Sequence, residues 1–281
     1  MKCKKENNLI LQIFIFINNI NLDAALVVLF WTELICYDLS ISPNQNQKLV
    51  FFLCTWLGYS ADRFLESFGR VHDSIISNRH LFFLGHKKVF VIIWLSILSL
   101  SIILSIDSFP FFQILHCIGL LILVIINQLQ SFYRLGLIEL VFPKNIRTSL
   151  ILTLTCSYLP FSSLIEISGK LLFLPVILAL VFLINCLKIR DWEALLTVSN
   201  NGEEKCIEKF KLRNLCSVII TVLIGCLILR LISVFFLFQM GVSIVLICLV
   251  CLDKSKIEPD RKCVLLDQVY WIVPSVIFLT I

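Results

Sequence analysis

Three residues in the stretch WLGYSADRFLES, 56–67, have types and spacing that can do chemistry: Asp62, Arg63 and Glu66. An apolar run precedes them, so they stand where a membrane helix should end. Asp62 and Glu66 are four residues apart and share one helical face. Like charges at this spacing destabilise a helix by about 0.2–0.5 kcal/mol. A cation between them would offset that cost. Mg²⁺ is commonly held by one or two carboxylates together with substrate phosphates. A basic loop follows, with Arg70, Arg79, His80, His86, Lys87 and Lys88. Guanidinium forks and ammonium groups suit phosphate. Acids able to hold Mg²⁺ beside a basic loop at a membrane surface would suit a lipid diphosphate. A plainer reading stands beside it. Glu66 and Arg70 are also four apart, an ordinary surface ion pair, and the basic loop can simply face anionic lipid head groups.

The elements that must position these residues are apolar helices. The 281 residues are 59% hydrophobic and 15% charged, with mean hydropathy +0.95. Soluble domains carry about 25% charged residues. Long apolar runs recur and do not alternate as β-barrel strands would, so an all-α, polytopic membrane bundle is expected. Nine candidate spans are expected at 22–38, 48–66, 88–106, 109–129, 147–166, 171–188, 214–230, 232–252 and 265–281. The whole chain reads as a single membrane domain, with residues 1–21 as an N-terminal cytoplasmic or interfacial segment. Residues 9–20, interrupted by Asn18 and Asn19, are either an interfacial helix or an extension of the first span. Asp23 and Glu33 blur that span's bounds.

Loops at 1–8, 67–87, 130–146, 189–213 and 253–264 are rich in Lys and Arg, while the alternate loops are nearly free of them. The positive-inside rule places the first set, the N-terminus and the acidic ends in the cytoplasm. No small-residue cleavage site follows the basic start, so the N-terminus is expected to be retained. The formal charge of +5 lies in these short loops and does not suggest nucleic acid. Of the twelve cysteines, several lie inside apolar runs, where cysteine packs as a small hydrophobe. Cys248 and Cys251 lack the further ligands that zinc needs. No P-loop, GxSxG or HExxH is present. His116 reads as a helix-packing residue, and Asn127, Gln128 and Gln130 as a possible cavity mouth.

GYSADRFLES resembles the first aspartate-rich motif of the UbiA superfamily of intramembrane prenyltransferases. Asp62-Arg63-Phe64-Leu65-Glu66 is similar to the D-R-x-x-D part of that motif, with Glu in the last place. Gly58 and Tyr59 replace its opening Asn and Asp, and Arg79-His80 falls where the family often has Arg-Pro. LDAALVVLFWTEL, DRFLES…NRH and LLDQVYWIVP look closest to a divergent bacterial branch. The resemblance implies transfer of an isoprenyl group from an isoprenyl diphosphate to an aromatic or other lipophilic acceptor, in a bacterial cytoplasmic membrane. It implies Mg²⁺ on Asp62 and Glu66. Arg63, Arg79 and Lys87 would neutralise the departing diphosphate. A second motif is implied after span six, where LINCLKIRDWEALL offers Asn185 and, two turns on, Glu193. Asp191 points elsewhere if the helix continues. This second motif is degraded or rebuilt, which leaves an alternative: a UbiA-like fold that binds lipid without prenyl transfer. A secondary transporter is disfavoured, because no internal repeat is evident.

Overall fold

A computed structural model describes residues 9–69, 78–133, 143–164, 173–198, 241 and 259–280. Every element among them is helical: α1 (Leu9–Asn19), α2 (Leu22–Asp38), α3 (Gln45–Gly69), α4 (Asn78–Gly85), α5 (Lys87–Ser108), α6 (Phe111–Tyr133), α7 (Lys144–Ser162), α8 (Phe173–Val198) and α9 (Pro259–Thr280). The expected span 22–38 coincides with α2. Spans 214–230 and 232–252 lie outside the described residues, as does the Cys248/Cys251 pair.

α5 and α6 are long and apolar enough to cross a membrane. Their apolar side chains face outward: Ile92, Ile103, Ile106, Phe111 and Phe112 are all exposed. The broken pair Gln12–Asn19 and Leu22–Asp38 passes the same test, bent by 90°. Phe173–Ile189 and Cys263–Val276 are shorter apolar helices. Two or three candidate spans are found among the described residues, and two of the nine expected lie outside them. The difference has a physical cause: α3, α7 and α9 carry polar and charged side chains along their length, and these lower their hydropathy.

The break at the start of α2 settles how residues 9–20 are arranged. They form a separate helix rather than a straight extension. Asn21 takes a left-handed conformation, φ 55° and ψ 29°, which Asn tolerates better than most residues. Trp56 Nε1 donates to the Ile20 carbonyl at 2.8 Å and fixes the bend against α3.

The main core joins α2, α7, α8 and α9 through Trp31, Leu34, Cys156, Leu178, Phe182 and Tyr270. Phe182 meets Trp31 edge-on at 6.1 Å between ring centroids. Trp31 Nε1 donates to the Tyr270 carbonyl at 2.9 Å, and Tyr270 Oη donates to the Val181 carbonyl at 2.8 Å. Where lipid surrounds helices, packing and interhelical hydrogen bonds of this kind hold them together. α3 and α6 approach closely at Gly58, where an added Cβ would lie 3.4 Å from Val124. Gln128 Nε2 donates to the Gly58 carbonyl at 2.7 Å.

Candidate functional site

Five helices meet around a cavity of about 280 Å³. α3 presents Tyr59, Asp62, Arg63 and Glu66, spaced i, i+3, i+4 and i+7 on one face. α8 presents Phe182, Asn185, Cys186 and Ile189 with the same spacing. Asp23 comes from α2, Lys144 and Asn145 from the first turn of α7, and Asp267 from α9. Val27, Leu152, Phe182 and Tyr270 form an apolar back wall.

Asp62 and Glu66 converge on one cation, the Lys144 ammonium. It donates to Asp62 Oδ1 at 3.2 Å, to Asp62 Oδ2 at 2.9 Å and to Glu66 Oε1. Arg63 Nη1 reaches Glu66 Oε2 at 3.4 Å. The four side chains are mostly buried and their charges sum to zero. As arranged, these two acids do not fit a divalent ion, because an ammonium already stands where it would bind.

A second acid pair also lines the cavity. Asn18 Nδ2 donates to Asp23 Oδ2 at 2.7 Å and to Asp267 Oδ2 at 2.9 Å. Asn185 Nδ2 donates to Asp267 Oδ1 at 3.2 Å. Three buried cavity atoms have no hydrogen-bond partner among the described residues: Asn21 Nδ2, Asn145 Nδ2 and Asn185 Oδ1. Unmet buried polar atoms are costly, so such a wall suits a polar ligand.

Of the residues expected from sequence, Asp62, Arg63, Glu66 and Asn185 come together here. Lys87 does not: it is exposed at the start of α5 and is absent from the cavity wall. A turn at His86 separates α4 from α5, and Lys87 opens α5 at an exposed position. The side chains of Arg79, Asp191 and Glu193 lie outside the described residues, and so does Arg70. Asn127, Gln128 and Gln130 do not line the cavity. Asn127 Oδ1 accepts from Arg147 Nε at 2.9 Å, and Gln128 serves the α3–α6 contact. His116 packs edge-on against Tyr158, with ring centroids 6.2 Å apart.

Lys144 and Asp267 were missed. Lys144 sits in a basic loop-to-helix passage, FPKNIR, and read as an orientation signal. Asp267 sits in LLDQVYWIVP, where an acid within an apolar segment is itself a pointer to function.

No protein-family model matches the chain, and neither a curated protein nor a solved structure does. Among the described residues, no three His, Cys, Asp or Glu side chains gather closely enough to hold a metal by themselves.

Proposed function

We propose that the protein is a UbiA-like integral membrane prenyltransferase. It takes an isoprenyl diphosphate and transfers the isoprenyl group to an aromatic or other lipophilic acceptor. The observation that carries this reading is the meeting of the Asp62 and Asn185 helix faces at one cavity, lined by both polar and apolar side chains. The isoprenyl tail lies along the apolar wall. The diphosphate faces Arg63 and Lys144 and accepts from the amides of Asn21 and Asn145. The allylic C–O bond breaks and its electron pair leaves with the diphosphate. The resulting carbocation takes an electron pair from the acceptor, which then releases a proton. Fixed cations and amide donors stabilise the departing charge without reorganising. The nine-span count, the cytoplasmic N-terminus and a bacterial cytoplasmic membrane belong to the same proposal.

A second reading keeps the cavity but not the transfer. The neutral arrangement of Asp62, Glu66, Lys144 and Arg63 favours it, since it leaves the first acid pair already satisfied. Two assays on the purified full chain separate the readings. Saturable binding of farnesyl or geranylgeranyl diphosphate, weakened roughly tenfold or more by Arg63→Met, is expected for both, tenfold being about 1.4 kcal/mol. Release of diphosphate with an aromatic acceptor present is expected only for the transferase. No saturable binding at any chain length would sink both.

A further inference from the structure

α1 is short, uncharged and two-faced. Its eleven residues include no Asp, Glu, Lys or Arg. At about 1.5 Å per residue it measures about 16 Å, roughly half of a hydrocarbon core about 30 Å thick. It cannot cross a membrane unaided, and a 90° bend separates it from α2. With α2 upright in a bilayer, that bend lays α1 along the membrane surface. The outward face carries Leu9, Ile13 and Phe16, spaced i, i+4 and i+7 and 69%, 48% and 57% exposed. Gln12 is exposed beside them. The inward face is held: Phe14 meets Trp271 edge-on at 6.4 Å between ring centroids, and Asn18 is buried. An apolar strip on a helix without charge marks a surface that something apolar covers.

Two observations point to the bilayer as that cover. First, α4 packs against both α1 and α5. α5 opens with exposed His86, Lys87 and Lys88 and continues as an apolar span with its side chains outward. Basic residues at the start of a lipid-facing span mark the head-group level, and α4 keeps α1 near it. Second, Lys2, Lys4 and Lys5, against Glu6 alone, precede α1 in the sequence. Anionic head groups attract such charge, and an apolar helix face next to it suits the boundary between head groups and acyl chains.

We propose that α1 is a membrane-surface helix whose Leu9, Ile13 and Phe16 enter the head-group–acyl boundary, and that the bilayer thereby holds the cavity together. The link is Asn18, on the opposite face of α1. Its Nδ2 joins Asp23 of α2 to Asp267 of α9. Lipid grips α1, and α1 grips the two acids. This inference is independent of prenyl transfer.

Depth measurements on the full chain, in nanodiscs of phosphatidylcholine and phosphatidylglycerol, test the seating. A nitroxide carried by a noncanonical residue replaces Leu9, Ile13 or Phe16 in turn, and Leu95 of α5 for comparison. Electron paramagnetic resonance compares relaxation by oxygen with relaxation by a water-soluble nickel chelate. The three α1 labels should share one shallow depth, with the Leu95 label deeper. Depth growing steadily from residue 9 to residue 16, or nickel access as high as in water, would overturn the proposal. Amide hydrogen exchange then tests the link. Asn18→Ala removes hydrogen bonds to charged groups and should speed exchange at the start of α9 roughly tenfold, with the α1 depth kept. Ile13→Ser combined with Phe16→Ser should speed exchange in α1 and at the start of α9 while α5 stays protected. A rise confined to α1 would overturn the link to the cavity.

Discussion

Lys144 and Asp62 are 82 residues apart in sequence, and the Lys144 ammonium holds both oxygens of the Asp62 carboxylate, at 3.2 and 2.9 Å. It also holds Glu66. The acidic pair therefore carries its own counter-charge from another helix.

Removing that charge should be felt in stability. Lys144→Met is expected to cost about 3 kcal/mol, the low end for an opened buried ion pair, because all three side chains keep some solvent. Adding Asp62→Asn to Lys144→Met should recover most of that loss, since Glu66 and Arg63 still match each other. Thermal unfolding of the three proteins in detergent measures both effects. No recovery in the double variant would refute the pairing.

The unpartnered Asn145 amide makes a different prediction. Asn145→Leu should weaken farnesyl diphosphate binding by a factor of ten or more, because a hydrogen bond to a charged group contributes about 1.5–3 kcal/mol. Lys87→Ala should leave binding unchanged, as Lys87 is exposed and off the cavity wall. Direct binding of radiolabelled ligand compares the two. An effect from Lys87 larger than that from Asn145 would place the head group elsewhere.

Close packing of α3 on α6 predicts a steep dependence on size at residue 58. Gly58→Ala puts a methyl at ordinary contact distance from Val124 and should be tolerated. Gly58→Leu should destabilise by about 1–3 kcal/mol through overpacking. It should also break the Gln128 bond to the Gly58 carbonyl. Detergent-resistance and thermal-unfolding assays read the difference.

Much of this arrangement was legible from spacing alone. The faces of α3 and α8 follow from i, i+3, i+4 and i+7 arithmetic, which puts Asp62 beside Glu66 and Asn185 beside Ile189. The bounds of α2 match the expected span 22–38, although Asp23 and Glu33 interrupt its apolar run. What spacing cannot supply is which helices are neighbours. Lys144 and Asp267 acquire their roles from residues 78 or more positions away. Lys87 misled for the mirror reason: its type suits phosphate, but it stands exposed and off the cavity wall.

The outward faces of α5 and α6 make a prediction of their own. Ile103 is 66% exposed on an apolar helix. Ile103→Arg should reduce membrane insertion of α5, at a cost of about 2.5–3.5 kcal/mol near a helix centre. A glycosylation-reporter insertion assay scores it. Undiminished insertion would mean that this face is not in contact with lipid.

Asn18 touches Asp267 across 249 residues of sequence, and with it α1 is fastened to α9. The consequence concerns the order of synthesis. A ribosome makes Asn18 and Asp23 long before Asp267. Until then the acid pair does not exist, and one wall of the cavity is missing. A chain that stops before Asp267 thus lacks Asp267 and Tyr270 of the cavity wall, and the lining is complete only once α9 docks.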